Sequence, residues 1–256
     1  MATHVSQHLR NVELPRPTTG TRSQDPDGPP ECPVCKGAGW LVIRDVPINH
    51  PDWCKLVQCD CGQVMTERRK RLDVELGFEP ELLSLNWSHL RPVSGQTNAV
   101  AAVRGWAQRP VGWLYLVGCY GSGKTTLLSI AVNHLRAHGT DALFANVPTT
   151  LQYLRDCLGR QARGLSNDLL DVLDWLKRVP VLALDDLGSE RMTEWAAEQL
   201  YEVLNYRYVK RLPTIIASNY GIDDLLDRRL ASRIADASLT QQIDCGDIDV
   251  RRLKRD

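Results

Sequence analysis

From Thr97 onward, short apolar runs alternate with longer amphipathic ones. Trp113–Val117, Asp141–Val147, Val179–Leu184 and Thr214–Ala217 are short and apolar, which predicts strands, and Leu239–Ile243 suits a last short strand. Between and around them Ala99–Ala107, Leu127–His138, Leu151–Leu158, Asn167–Lys177, Trp195–Lys210 and Ile222–Ala235 have helical spacing. Strands apolar throughout, each followed by a helix, predict an α/β domain with a central parallel sheet, over residues 97–256. Upstream the pattern breaks up. Met1–Glu31 has no sustained apolar period and carries Asp25-Pro26-Asp27-Gly28-Pro29-Pro30, so 1–31 reads as an extended or disordered arm. Leu41–Ile43 and Lys55–Gln58 suit the strands of a small hairpin within a module at 32–65. Thr66–Leu76 is a charged helix opening a linker at 66–96, and Phe78–Pro92 is a connector with Trp87 as its packing anchor.

Composition alters this picture little. The chain has 256 residues, 43% hydrophobic and 24% charged, with a formal net charge of zero. A nucleic-acid surface therefore has to be a local patch, such as the basic block Arg68-Arg69-Lys70-Arg71, and a solvated helix face is an equal reading of that block. No apolar stretch approaches the roughly 20 residues that cross a bilayer, and no signal pattern opens the chain. The expectation is a cytoplasmic protein without a membrane partner.

The cysteines alter it more. Five of the eight, Cys32, Cys35, Cys54, Cys59 and Cys61, crowd one short stretch. Cys32-Pro33-Val34-Cys35 puts two thiolates on one knuckle, and Cys59-Asp60-Cys61 supplies a second pair across the hairpin. Four thiolates suit a closed tetrahedral zinc site with a scaffolding role, in a region too small to fold on its own core. Cys54 or His50 can replace one of the four.

The clearest chemistry lies between the first buried strand and its helix. Gly118-Cys119-Tyr120-Gly121-Ser122-Gly123-Lys124-Thr125 has the spacing of a phosphate loop, GxxxxGK[ST], in the strand-loop-helix context such a loop needs. Glycines let consecutive N–H groups converge on phosphate oxygens, and the helix adds its positive end. Gly118, Gly121, Ser122, Gly123, Lys124, Thr125 and Thr126 are the candidate nucleotide contacts. Lys124 reaches the β- and γ-phosphates and the Thr125 hydroxyl ligates Mg²⁺. Val181–Leu184 runs into Asp185 and Asp186, a strand expected beside the first, so that Asp185 holds Mg²⁺ and Asp186 orients or deprotonates water. Thr214–Ser218 closes on Asn219, an amide for the γ-phosphate or the lytic water. Arg229 and Arg233 stand four apart on one helical face, where a guanidinium can meet developing phosphoryl charge.

Taken in this order, the motifs resemble those of AAA+ ATPases, and more narrowly those of the DnaC/DnaI helicase-loader family and its IstB transposition relatives. The similar stretches are Gly118–Thr125 (Walker A), Val181–Glu190 (Walker B), Trp195–Tyr208, Ile215–Asn219 and Leu225–Ile234, so the resemblance runs from about Asn86 to the C-terminus. It implies a P-loop NTPase fold without a C-terminal helical lid, and hydrolysis of ATP with Mg²⁺. It assigns Asn219 as sensor 1 and Arg233, with Arg229 as runner-up, as a finger inserted into a neighbouring subunit's site. Asp186 stands where many members have Glu. The resemblance also implies a ring, spiral or filament of like subunits, with Arg155, Arg160 and Arg163 near single-stranded DNA and a hexameric replicative helicase as partner. The cysteine module ahead of the ATPase favours the loaders over the alternative, an IstB-like ATPase that polymerises on duplex DNA and recruits a transposase.

Overall fold

The computed structural model describes residues 40–42, 56–58, 63–90, 95–162, 168–188, 193–225 and 227–250, together with Pro47, His50 and Trp53. The chain divides into two compact units, Met1–Leu72 and Asp73–Asp256. In the first, β1 (Trp40–Val42) pairs antiparallel with β2 (Leu56–Gln58), Leu41 opposite Val57, which is the hairpin predicted from the sequence. Cys32, Cys35, Cys54, Cys59, Cys61 and the arm 1–31 lie outside the described residues. Helix α1 (Gln63–Glu75) begins three residues before the predicted Thr66, and Lys70 and Arg71 of its basic block are exposed.

The second unit is an α/β domain around a five-stranded parallel sheet. Its strands are β3 (Trp113–Val117), β4 (Ala142–Asn146), β5 (Val181–Leu187), β6 (Thr214–Ser218) and β7 (Thr240–Asp244), in the spatial order β4-β5-β6-β3-β7. This order corrects one expectation. β5, which carries the paired carboxylates, does not lie beside β3; β6 intervenes and pairs parallel with both. Burial follows position. Every residue of β6 and nearly all of β3 is buried, as central strands covered on both faces must be, whereas edge strand β7 exposes Gln241 and Gln242.

Helices α3 (Thr97–Gln108) and α4 (Lys124–Ala137) cover one face, packing Val103, Leu128 and Ala131 against Leu114, Leu116, Ala183 and Ala217. The connector before them contributes α2 (Pro80–Leu83) and a 3₁₀ turn at Trp87–His89, and Trp87 packs against this core. Towards the β4 edge, Phe78 stacks on Phe144 with ring centroids 4.5 Å apart, and Asp73 takes a bidentate pair from Arg136 at 2.7 and 2.8 Å.

The remaining helices are α5 (Val147–Ala162), α6 (Asp168–Arg178), α7 (Glu194–Lys210) and α8 (Arg228–Ile234). Helix α5 starts four residues earlier than Leu151 because Asn146 caps it, its Oδ1 accepting from Thr149 N and Oγ1 at 3.2 and 2.9 Å. The single helix predicted for Ile222–Ala235 is broken into a 3₁₀ turn at Ile222–Asp224 and α8, which starts where Asp227 accepts from the amides of Arg229 and Leu230. Helix α7 is anchored from inside. Arg207, fully buried, donates to the carbonyls of Val179 and Pro213 at 2.7 Å and to Thr214 Oγ1 at 3.0 Å. One guanidinium thereby ties the end of α6 and the starts of β5 and β6 to α7.

Candidate functional site

The C-terminal ends of the strands open onto a cleft of about 370 Å³, formed by Tyr120–Thr126 with Asn146, Asp185, Asp186, Asn219 and Val250. Gly123 precedes α4 at φ 82°, and Gly121 lies at φ 80°, both in the left-handed region that glycine occupies without strain. Gly118 lies outside the lining. A Cβ there would stand 2.8 Å from the Gly246 carbonyl oxygen, so its smallness serves the close approach of the segment after β7. Buried Gln96, just ahead of α3, braces the loop by donating to the Ser122 carbonyl at 2.7 Å.

Lys124 is the hub. Its Nζ donates to the carbonyls of Gly118 and Cys119 at 2.8 Å each and to Asn219 Oδ1 at 2.9 Å, with Ser122 Oγ at 3.3 Å. Burial lowers its pKa. Asn219 passes the connection on, its Nδ2 donating to Asp186 Oδ1 at 3.0 Å. Ser218 shapes the turn that aims this amide, donating to the Leu187 carbonyl at 2.7 Å and accepting from Tyr220 N at 3.0 Å.

Adjacent residues of a regular strand face opposite sides of a sheet, yet Asp185 and Asp186 both line this cleft. A bulge makes that possible. Leu184 pairs with Ile216 and Leu187 with Ser218, so β5 carries one extra residue, and Asp186 adopts φ 60°. Asp185 accepts from Thr125 Oγ1 at 2.9 and 3.1 Å. Burial pushes its pKa up to about 6, the Asp186 charge adding to the rise while donors from Thr125 and Asn146 and the charge of Lys124 oppose it. The buried carboxylate and neighbouring hydroxyl are hard oxygen donors, and that donor set fits Mg²⁺.

The arginines of α8 lie elsewhere. Arg229 is held by Asp227 at 3.1 Å and lies 4.6 Å over the Tyr201 ring. Arg233 lies 4.9 Å over Tyr208 and donates through Nε to Asn205 Oδ1 at 3.2 Å, while the Tyr208 hydroxyl donates to Asp236 at 2.7 Å. Neither lines the cleft of its own chain. On α5, exposed Arg155 lies 5.8 Å over Trp195, and Arg160 lies 5.6 Å over Tyr153; Arg163 is outside the described residues. Among the described residues no group of three or more His, Cys, Asp or Glu could hold a metal ion, and the cysteine set is not among them.

No family model matches the chain. The replicative helicase loader DnaI of Bacillus subtilis is 35% identical over 113 residues, which are 44% of this chain and 34% of that protein. A crystal structure of DnaI superposes with a TM-score of 0.55 at 28% identity, covering 65% of this chain and 94% of the DnaI chain. The resemblance to the DnaC/DnaI AAA+ ATPases holds. The crystal structure of the DnaC helicase loader adds the same fold, with a TM-score of 0.56 at 22% identity over 65% of this chain and 99% of the DnaC chain. This chain spans less than half the length of the curated relatives it matches. The α/β domain with its five-stranded parallel sheet is thus the fold of the DnaC/DnaI ATPase domains.

Four residues of the site, Tyr120, Asn146, Gln96 and Val250, escaped sequence reasoning. Asn146 carried a usable signal, since it closes an apolar strand as Asn219 does. Gln96 and Val250 carried none, because each enters through a tertiary contact with the phosphate loop.

Proposed function

We propose that the chain is an ATP-dependent loader of a hexameric replicative helicase, assembling with copies of itself on single-stranded DNA and hydrolysing ATP where two subunits meet. One observation carries it: the cleft gathers two hydrogen-bonded sets, Lys124 with Asn219 and Asp186, and Thr125 with Asp185, while Arg229 and Arg233 stand on α8, outside it. In this reading Lys124 and the loop amides of Gly121–Thr126 grip the triphosphate. Thr125 and Asp185 hold Mg²⁺, which when bound draws charge from the phosphate oxygens. Asp186 accepts the proton of the attacking water, and the Asn219 amide orients that carboxylate. Arg233 of an adjacent copy approaches the γ-phosphate from outside, aimed by the Tyr208 ring and Asn205, with Arg229 next to it. Assembly then follows from ATP favouring the joined state.

Outside the cleft, the α5 arginines and their aromatic partners, Trp195 on α7 and Tyr153 on α5, suit a single strand, whose bases stack and whose phosphates attract guanidinium groups. Cys32, Cys35, Cys59 and Cys61 bind zinc in a module ahead of the ATPase that grips the helicase. Replacing Cys32 with Ser is expected to lower zinc stoichiometry. The loader reading is tested by affinity purification of the full chain with the host replicative helicase, and by ATP turnover with and without DNA. Co-elution with the helicase and stimulation by single strands are expected. Co-elution with a transposase and stimulation by duplex alone would replace this reading with the transposition one.

A further inference from the structure

β4 stands at one edge of the sheet, yet the amide of its last residue is taken by the segment that enters the domain. Asn146 N donates at 2.8 Å to the carbonyl of Leu76, the residue that follows α1. The turn there is set by its own hydrogen bonds. Gly77 N donates to the Val74 carbonyl at 3.0 Å and Phe78 N to the Asp73 carbonyl at 2.7 Å, with Gly77 at φ 83°. That pairing is a Schellman helix end, whose left-handed position favours glycine.

The turn is fixed from several sides. Leu76 and Phe78 are fully buried, and Arg136, which holds Asp73, also donates through Nε to the Ala142 carbonyl at 2.9 Å. The segment is thus tied to both ends of β4. A Cβ on Gly77 would stand 3.0 Å from Asn146 Cβ and 3.3 Å from Thr149 Oγ1. Asn146 in turn stands opposite Asp185, its register partner on β5, and both line the cleft. With its Oδ1 engaged by Thr149, the Asn146 amide has its nitrogen left for that carboxylate.

We propose that Leu76–Phe78 is a positioning joint, which by fixing Asn146 holds Asp185 in place for Mg²⁺. The inference rests on the nucleotide-site reading above. Groups behind a metal ligand orient it and set its affinity, so a small shift of Asn146 is felt at the ion. The joint also has a long arm. Helix α1 is continuous from Gln63 to Glu75 and carries the chain from the first unit into the turn. A displacement of α1 is thereby passed to the metal side of the cleft, while the phosphate loop keeps its own supports.

Binding of a fluorescent ATP analogue to the full chain, in excess Mg²⁺ and in EDTA, measures the affinity that the metal adds. Gly77→Ala is expected to lower that gain about tenfold and to leave affinity in EDTA unchanged. Gly139→Ala is the control, because it shares the backbone strain at φ 78° but has nothing among the described residues within 4 Å of its Cβ position. Its gain is expected to equal that of wild type. In an Asn146→Ala background, Gly77→Ala is expected to add no further loss. Phe78→Leu loosens the stack on Phe144 without straining the backbone, and is expected to lower the gain in the same direction. An unchanged gain in Gly77→Ala and Phe78→Leu would overturn the proposal, as would equal losses with and without Mg²⁺, because the joint would then serve the fold alone. A wild-type affinity that Mg²⁺ does not raise would overturn it too, with the nucleotide site intact. A wild-type chain that binds no nucleotide removes the nucleotide-site reading, and this inference with it.

Discussion

Asp185 is a residue whose function and stability oppose each other. Its ordinary pKa of 3.8 rises to about 6 because burial penalises the charged form. The sign follows from linkage. Below pH 3.8 the group is neutral folded or unfolded and costs nothing; the cost grows through pH 3.8–6 and is complete above, on the order of 3 kcal/mol. Asp185→Asn removes it. Without Mg²⁺, urea unfolding at pH 7.5 is expected to find the variant more stable than wild type by up to about 3 kcal/mol, with the gain gone at pH 4. Hydrolysis is expected to vanish in the variant, which lacks the carboxylate proposed to hold Mg²⁺. Asp186 opposes them differently, holding φ 60° in a strand. Asp186→Gly is expected to unfold at higher denaturant than Asp186→Ala, by about 1 kcal/mol, because the left-handed conformation penalises any Cβ. Both variants lose turnover.

At the scale of elements, legibility followed burial. β3 and β6 are apolar because both of their faces are covered, and that pattern stands in the sequence as Trp113–Val117 and Thr214–Ala217. The order of the strands was not legible. Parallel neighbours are chosen by how the crossover helices pack, so the expectation that β5 adjoins β3 failed, and the bulge that brings both aspartates to one cleft was hidden with it. Arg207 shows a further limit. In Trp195–Lys210 it reads as one more surface arginine, yet it is fully buried, and burial pulls its pKa down to about 9. Its partners are backbone carbonyls that no sequence pattern displays. Arg207→Ala strands those carbonyls and is expected to cost roughly 4 kcal/mol in denaturant unfolding, with Arg207→Lys costing less.

For the whole molecule, the proposed shared site leaves each chain incomplete on its own. The cleft has its own lysine, hydroxyl, carboxylates and amide, and its α8 arginines stack on α7. Lys124→Ala removes the cradle but leaves a finger to lend; Arg233→Ala keeps the cradle and lends none. The measurement is steady-state ATP turnover of each variant alone and of the two mixed on single-stranded DNA. Each alone is expected to be nearly silent, with Arg233→Ala still binding ATP, and the mixture is expected to regain turnover from sites that combine an intact cradle with an intact finger. Normal hydrolysis by Arg233→Ala alone, or a mixture as silent as its parts, would contradict the shared site.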